Sequence, residues 1–361
     1  MLNGRLLFDI SKASKQKHKS GLMRVSDCLR RELEPLMGDR YREVRWSDKR
    51  ETYVAVDGDK SFKIDEKDVL LTGELFCEYE RSGVERFLDE KGCRTYCIFH
   101  DAIPLQFPEF TWPHSVQRHP SYMKMLAKFS GAFAVSQHSA ILLEEYWEWL
   151  EFQYAPSVKS IQLGADGVFE DSSEPRTNGD GRLQLLMLGI LEKRKGQDYV
   201  LEACKGLWDE GLDFDLNVVG RANPYFGKPI EKALRRAAKD GYAVKLYGQV
   251  DDEELRELFS NADLMLFGSR AEGCGLPVLE SLWRGVPVLC SQLRSVGESS
   301  RFGGCRMFEA GNVGALKEAL QDYIEDRGQL EELTTGIRTE ALPRWRDTVK
   351  EILNHMVSEG C

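Results

Sequence analysis

Residues 264–290 read LMLFGSRAEGCGLPVLESLWRGVPVLC, and the order of residue types in this stretch decides the fold. Residues 264–267 are a short apolar run of the kind that forms a buried strand. Gly268, Ser269 and Arg270 break it. From Leu276 the residues turn helical, with Pro277 in the first turn, where a missing N–H costs nothing. Gly285 stands where a helix end favours the left-handed conformation that glycine adopts cheaply. Residues 286–290 return as a second buried strand. Strand, glycine-rich turn, helix and strand make the repeating unit of an open, mainly parallel α/β sheet. Such sheets bind ligands at the carboxyl ends of their strands.

Two carboxylates punctuate the unit. Glu272 lies in the glycine-rich turn and Glu280 lies one helical turn beyond Leu276, at the edge of an apolar face. A lone acid there is costly unless a ligand or partner satisfies it. Gly273 and Gly275 let backbone N–H groups approach a ligand closely, and a helix start adds free N–H groups and a positive dipole end, which suit phosphate. The plain alternative is that these acids only complement a helix dipole. Position 278 is Val, so the full dinucleotide-binding glycine pattern is absent.

The run Glu272-Gly273-Cys274-Gly275-Leu276-Pro277-Val278-Leu279-Glu280, followed by Gly285-Val286-Pro287-Val288, resembles the Glu-x7-Glu signature of the retaining glycosyltransferases of family 4, also called group 1. The aromatic residue usual in that family at 274 is here Cys. The resemblance implies a GT-B fold, two facing Rossmann-like domains with a cleft between them, and a nucleotide-diphosphate sugar as donor. It implies no metal and no other cofactor.

Composition bounds the remaining possibilities. The chain has 361 residues, 42% of them hydrophobic, enough for two ordinary domains. A net charge of −10 argues against non-specific nucleic-acid binding. The nine cysteines are dispersed, with no CxxC pair and no His/Cys metal spacing, which fits reduced thiols in a cytoplasmic protein; the terminal Cys361 is expected to be exposed. The N-terminus runs straight into strand-like residues without a signal-peptide core. No apolar run reaches the roughly 18 residues of a membrane span, so membrane contact is expected only as peripheral contact at the inner face.

Ahead of the central unit, residues 5–10, RLLFDI, read as the first strand. A polar, basic stretch follows, and Gly21 then opens a helix to about residue 34. A glycine between the first strand and first helix lets phosphate approach the helix start; in the family this turn faces the donor diphosphate. Strand-like stretches recur at 53–56, 69–72, 94–99 and 132–135, with helical stretches near 78–89, 114–129 and 139–149. His100 and Asp101 fall at the end of one strand. With the following Ile103-Pro104 they resemble the family's His-Asp segment, where the histidine lies beside the transferred sugar and Asp101 orients the loop. Phe107, Phe110 and Trp112 stack on an acceptor sugar or pack beneath the loop, with packing preferred. Ser136 reads as the cap of the next helix, whose acidic aromatic sequence LLEEYWEWLEF reads as packing.

Residues 171–181, DSSEPRTNGDG, read as a linker. The expected domains are therefore residues 1–172, with a helix at about 343–361 packing back on them, and residues 182–342. The second domain opens with a strand at 183–188, then Gly189-Ile190-Leu191-Glu192-Lys193-Arg194-Lys195-Gly196. Clustered cations at a strand-to-helix turn suit a diphosphate. The resemblance gives the main role to Lys195, with Arg194 beside it in place of an arginine that relatives carry at position 190, here Ile. The acids at 251–254 read as a helix start rather than a metal site.

The implied activity is retaining transfer of a hexose, mannose-like or similar, from a nucleotide sugar to a glycan or lipid-linked glycan in surface polysaccharide biosynthesis. In that scheme His100, Glu272 and Lys195 are catalytic. Gly21, Arg194, Lys195, Glu272, Gly273, Cys274, Gly275, Leu276 and Glu280 hold the donor. The alternatives are a non-catalytic nucleotide-sugar or glycan-binding protein and a nucleotide-sugar epimerase on the same fold.

Overall fold

The computed structural model describes residues 2–13, 21–90, 92–167 and 181–361. The chain forms two compact units, Met1–Gly164 with Pro343–Cys361, and Ala165–Leu342. In the first unit the strands are β1 (Leu6–Asp9), β2 (Tyr41–Ser47), β3 (Thr52–Ala55), β4 (Val69–Thr72), β5 (Arg94–Phe99), β6 (Gly131–Ala134) and β7 (Val158–Ser160). They form one sheet in the order β3-β2-β1-β4-β5-β6-β7, parallel throughout except for the antiparallel β2–β3 pair. Its helices are α1 (Gly21–Met37), α2 (Val84–Glu90), α3 (Ile103–Gln106), α4 (Pro113–Leu126) and α5 (Gln137–Trp149).

The second unit carries β8 (Leu183–Leu188), β9 (Phe214–Val219), β10 (Val244–Gly248), β11 (Leu264–Phe267), β12 (Val288–Ser291) and β13 (Cys305–Phe308). All its pairs are parallel, in the order β10-β9-β8-β11-β12-β13. The helices are α6 (Gln197–Asp209), α7 (Gly227–Lys239), α8 (Asp252–Asn261), α9 (Leu276–Trp283), α10 (Arg294–Gly297), α11 (Val313–Glu325) and α12 (Arg327–Thr335). The last helix, α13 (Trp345–Ser358), belongs to the first unit and packs on α1. The second sheet has the doubly wound order of a Rossmann fold, which reverses between β8 and β11, the point at which sheets of this kind bind ligands. The order in the first sheet reverses between β1 and β4 in the same way. No described helix is long and apolar enough to cross a membrane.

Burial follows the sequence pattern where strands are central. β4, β6, β11 and β12 are buried at every residue, because helices cover both faces of a parallel sheet. Several expectations need correction. The helix expected from residue 78 begins at Val84, because the Glu78 carboxylate instead organises the preceding loop, accepting from the backbone N–H of Gly83 at 2.6 Å and Glu85 at 2.8 Å. Cys361 is buried, its thiol 3.3 Å from the Tyr96 hydroxyl. None of the nine cysteines is in a disulfide. Only one face of α5 packs: Leu143 and Trp147 are buried, whereas Trp149 is 75% exposed. Ser136 caps α5, accepting from the Ser139 N–H at 3.0 Å, and Asp251 caps α8. The expected linker falls outside the described residues except for Gly181.

Candidate active site

The second unit brings the turns after β8 and β11 together at its reversal point. After β8 the chain makes one short turn, Lys193–Lys195, and Gly196 closes it with φ 76°. A Cβ at Gly196 would sit 1.9 Å from the Gly268 carbonyl oxygen, so the approach of the two turns requires glycine. The Tyr199 hydroxyl of α6 donates to that same carbonyl at 2.7 Å. The Arg270 N–H donates to the Arg194 carbonyl at 2.7 Å, and the Arg270 guanidinium grips Asp198 at 2.8 and 3.1 Å.

This clamp delivers the cations of one turn to the carboxylate of the other. Lys195 Nζ donates to Glu272 Oε1 at 2.5 Å, the Ser269 hydroxyl donates to the same oxygen at 2.5 Å, and Arg194 Nη1 lies 3.4 Å from Glu272 Oε2. The three charged side chains are 13%, 18% and 9% exposed for Lys195, Arg194 and Glu272. Burial alone would raise the Glu272 carboxyl, but the charges of Lys195 and Arg194 with the Lys195 and Ser269 hydrogen bonds outweigh it and hold the group below its ordinary value. Arg194 also pairs with Glu192 at 2.7 Å and donates to the Ala271 carbonyl at 2.9 Å. Glu192 in turn accepts from the Asn223 amide at 2.8 Å.

Beyond Glu272 the chain passes Gly273 and Cys274, a half-buried cysteine outside any disulfide, to Gly275. Gly275 caps α9 in the left-handed conformation, φ 74°. The Ser295 hydroxyl fixes the turn by donating to the Glu272 carbonyl at 2.7 Å. Leu276 opens α9, and Glu280 sits one turn in, only 3% exposed. Thus Arg194, Lys195 and Glu272 form one cluster, and Gly273, Cys274, Gly275 and Leu276 run from it to the helix that carries Glu280. Ser269, Glu192 and Asn223 were not singled out from the sequence. Ser269 precedes Glu272 by one turn and Glu192 precedes Arg194 by two residues, so local spacing held a weak signal for both.

Gly21 and His100 belong to the other unit. Gly21 opens α1 and has open space where a Cβ would stand. His100 is buried, and its Nε2–H donates to the Gly73 carbonyl at 3.0 Å, a bond that fixes the tautomer. Burial lowers its pKa despite that bond and the nearby Asp101 charge. Asp101 Oδ1 accepts from the Ile103 N–H at 3.0 Å and so shapes the following turn. Phe107 and Phe110 stack on each other, centroids 6.1 Å apart.

The reversal point of the first sheet holds a second, unforeseen polar network. Arg81 bridges Asp9, at 2.6 Å, and Glu74. Asp9 also accepts from Thr72 at 2.8 Å. Glu74 Oε1 accepts from the backbone N–H groups of Lys12 at 2.5 Å and Ala13 at 3.0 Å. All three charged side chains are at most 5% exposed. Among the described residues no group of three His, Cys, Asp or Glu is placed to hold a metal ion.

Residues 168–339 match the family model described as Glycosyl transferases group 1. The chain is 25% identical over 316 residues to the serotype-specific mannosyltransferase WbdA of Escherichia coli, covering 79% of this chain and 37% of that protein. It is 26% identical over 202 residues to O-antigen chain mannosyltransferase B of Escherichia coli, covering 55% and 48%. The chain therefore spans less than half the length of the mannosyltransferases it resembles. Among solved structures, sucrose-phosphate synthase of Thermosynechococcus elongatus superposes with a TM-score of 0.71 at 15% identity, covering 99% of this chain and all of that one. HepE of Anabaena, solved with UDP and glucose, superposes with a TM-score of 0.70 at 15% identity, covering 98% and 100%. The fold is that of these GT-B proteins.

Proposed function

We propose, from the match of residues 168–339 to the group 1 glycosyltransferases, that the chain is a retaining enzyme of that family moving a hexose from a nucleotide-diphosphate sugar to a glycan or lipid-linked glycan in surface polysaccharide biosynthesis. The observation that carries this reading is the convergence of Lys195 on Glu272 directly before the N-terminus of α9. A buried cation beside a helix start concentrates positive potential where a diphosphate gathers negative charge as it leaves. HepE was solved with UDP-glucose, and that likeness supports a nucleotide-sugar donor.

In this reading Lys195, with Arg194 behind it, stabilises the departing diphosphate, assisted by the N–H groups at Gly275 and Leu276. Glu280 takes the ribose hydroxyls. Glu272 holds donor-sugar hydroxyls and keeps Lys195 in place. In the first unit, Gly21 leaves open space at the α1 start, and His100 offers a hydrogen-bonding ring at the carboxyl end of β5. The departing phosphate takes the acceptor proton, so no protein nucleophile and no metal is required. The work is cytoplasmic, with peripheral contact to the inner membrane face where the acceptor is lipid-linked.

The test is nucleotide release from UDP-, GDP- and dTDP-linked sugars with and without glycan acceptors, after thermal-shift screening with UDP, GDP and dTDP. Acceptor-dependent release with the anomeric configuration kept is expected. Turnover of donor without acceptor would replace this reading with an epimerase. Binding without release under any pairing would replace it with a binding protein.

A further inference from the structure

Tyr79 is 62% exposed and Trp112 43% exposed, and exposed His114 lies between them. The Tyr79 and His114 rings stack at 6.0 Å with 26° between their planes, and Trp112 meets His114 edge-on at 5.4 Å and 67°. The Tyr79 hydroxyl and His114 Nδ1 are 3.3 Å apart. The three rings therefore brace one another while facing water. Burying rings of this size stabilises a fold, and the fold forgoes that burial here. Phe107 and Phe110, on the same segment as Trp112, pair with each other and are half-buried, so the display of the other three is selective.

Their position has the same implication. Tyr79 lies in the loop between β4 and α2, beside the reversal point of the first sheet. Trp112 and His114 lie on the segment that follows β5 and His100. Both segments leave the carboxyl edge of the sheet, where ligands bind, and the His100–Gly73 hydrogen bond ties them together. A charged rim adjoins the rings: Glu80 accepts from Lys12 at 2.9 Å and from Arg118 at 2.8 Å.

A pyranose has an apolar C–H face and a periphery of hydroxyls. The C–H face suits the negative face of an aromatic ring, and the hydroxyls suit paired charged groups such as Glu80 and Arg118. Rings already held in place lose little freedom when a ligand stacks on them. We propose that Tyr79, His114 and Trp112 form a carbohydrate subsite that holds the acceptor glycan. The assignment rests on the transfer reading above and adds the residues that recognise the acceptor.

The experiment uses the full chain. Calorimetry with UDP and GDP checks the donor side. Saturation-transfer NMR then follows methyl α-mannoside, α-linked mannobiose and mannotriose, maltotriose and chitotriose. The wild type is compared with Tyr79→Ala/Trp112→Ala and with Tyr79→Phe/Trp112→Phe, which keeps the rings. The expected result is saturation transfer to at least one oligosaccharide, weakened about tenfold in apparent affinity by the alanine pair and retained by the phenylalanine pair, with nucleotide affinity the same in all three. Failure of the wild type to bind any nucleotide would overturn the transfer reading. Nucleotide binding with no saturation transfer to any sugar, or transfer that survives the alanine pair, would overturn the subsite alone. So would stacking of the nucleotide base on these rings.

Discussion

Replacing Lys195 separates two roles that its position combines. Its ammonium is 2.5 Å from Glu272, and both side chains are nearly closed to solvent. Removing one partner of a buried pair costs about 3–5 kcal/mol, because the other charge is left uncompensated. Arg194 at 3.4 Å and the Ser269 hydroxyl still serve Glu272, so Lys195→Met should fall at the low end, about 3 kcal/mol. For a unit of this size that lowers Tm by about 6–12 °C. If Lys195 also stabilises the leaving diphosphate, transfer should drop by about 10²-fold. The double variant Lys195→Met/Glu272→Gln decides between the roles. It leaves no orphan charge, since Glu192 and the Ala271 carbonyl still hold Arg194, and so should regain most of the lost stability. In the Glu272→Gln background, Lys195→Met should still cost about 10²-fold in kcat. Calorimetric unfolding and single-turnover transfer read the two effects separately. If Lys195→Met has no kinetic effect once Glu272 is Gln, the lysine serves only to neutralise the glutamate and the diphosphate role is refuted.

Arg194→Ala should cost about 3 kcal/mol by chemical denaturation, and Arg194→Lys should recover little, because one ammonium cannot replace the forked contacts to Glu192, Glu272 and the Ala271 carbonyl. Gly196→Ala combines φ 76° with a Cβ 1.9 Å from a carbonyl oxygen and should destabilise by more than about 3 kcal/mol. Gly275→Ala, with φ 74° and a Val296 methyl at 3.1 Å, should cost only about 1–2 kcal/mol. Burial and the Asp9 charge push Glu74 up to about 7 from 4.5, against Arg81 and the Ala13 and Lys12 N–H groups. A carboxyl raised on folding favours the native state below its unfolded pKa, and that contribution is lost as pH rises through the folded value. About 3 kcal/mol should therefore disappear between pH 5 and 8. Asp9, Arg81, Tyr53 and Lys12 surround the group and remain in Glu74→Gln, so parallel stability–pH curves for wild type and variant would refute the assignment.

Legibility in the sequence tracked burial and locality. Strands β8, β11 and β12 show as apolar runs because both faces of a parallel sheet are covered, and α9 shows through its proline, its glycine and its apolar content. Strand β2, YREVRWS, alternates buried and exposed residues in a charged segment, and its pattern gave no clear boundary. Helix α7 buries Ile230, Leu234 and Ala237 at helical spacing inside a strongly basic stretch, so charge masked its period. The cations and acids of the second unit could be named individually, yet the Lys195–Glu272 bond joins residues 77 apart. No local pattern encodes that pairing; the parallel order of β8 beside β11 creates it. The Tyr79–His114 contact spans 35 residues for the same reason, and Asp9, Glu74 and Arg81 meet only because β1 pairs with β4.

The Lys195–Glu272 pair also implies opposite effects on binding and on turnover. Lys195, Arg194, Glu192 and Glu272 carry formal charges that cancel, so the positive potential met by an arriving diphosphate comes from the placement of Nζ and the α9 start, not from the net charge of the cluster. An unpaired ammonium in so closed a site would lose its hydration without compensation, and Glu272 supplies that compensation while fixing Nζ in place. A phosphate oxygen must then share the ammonium with Glu272, and the two anions repel each other across it. Glu272→Gln removes that repulsion and keeps a hydrogen-bond acceptor for Lys195. Nucleoside diphosphate affinity should rise, by about tenfold where the relief amounts to about 1.4 kcal/mol, while transfer falls because the donor sugar loses a charged hydrogen-bond partner. Titration calorimetry with the preferred nucleotide, alongside kcat, measures both. Weaker nucleotide binding in Glu272→Gln would mean that the carboxylate positions Lys195 more than it competes for it.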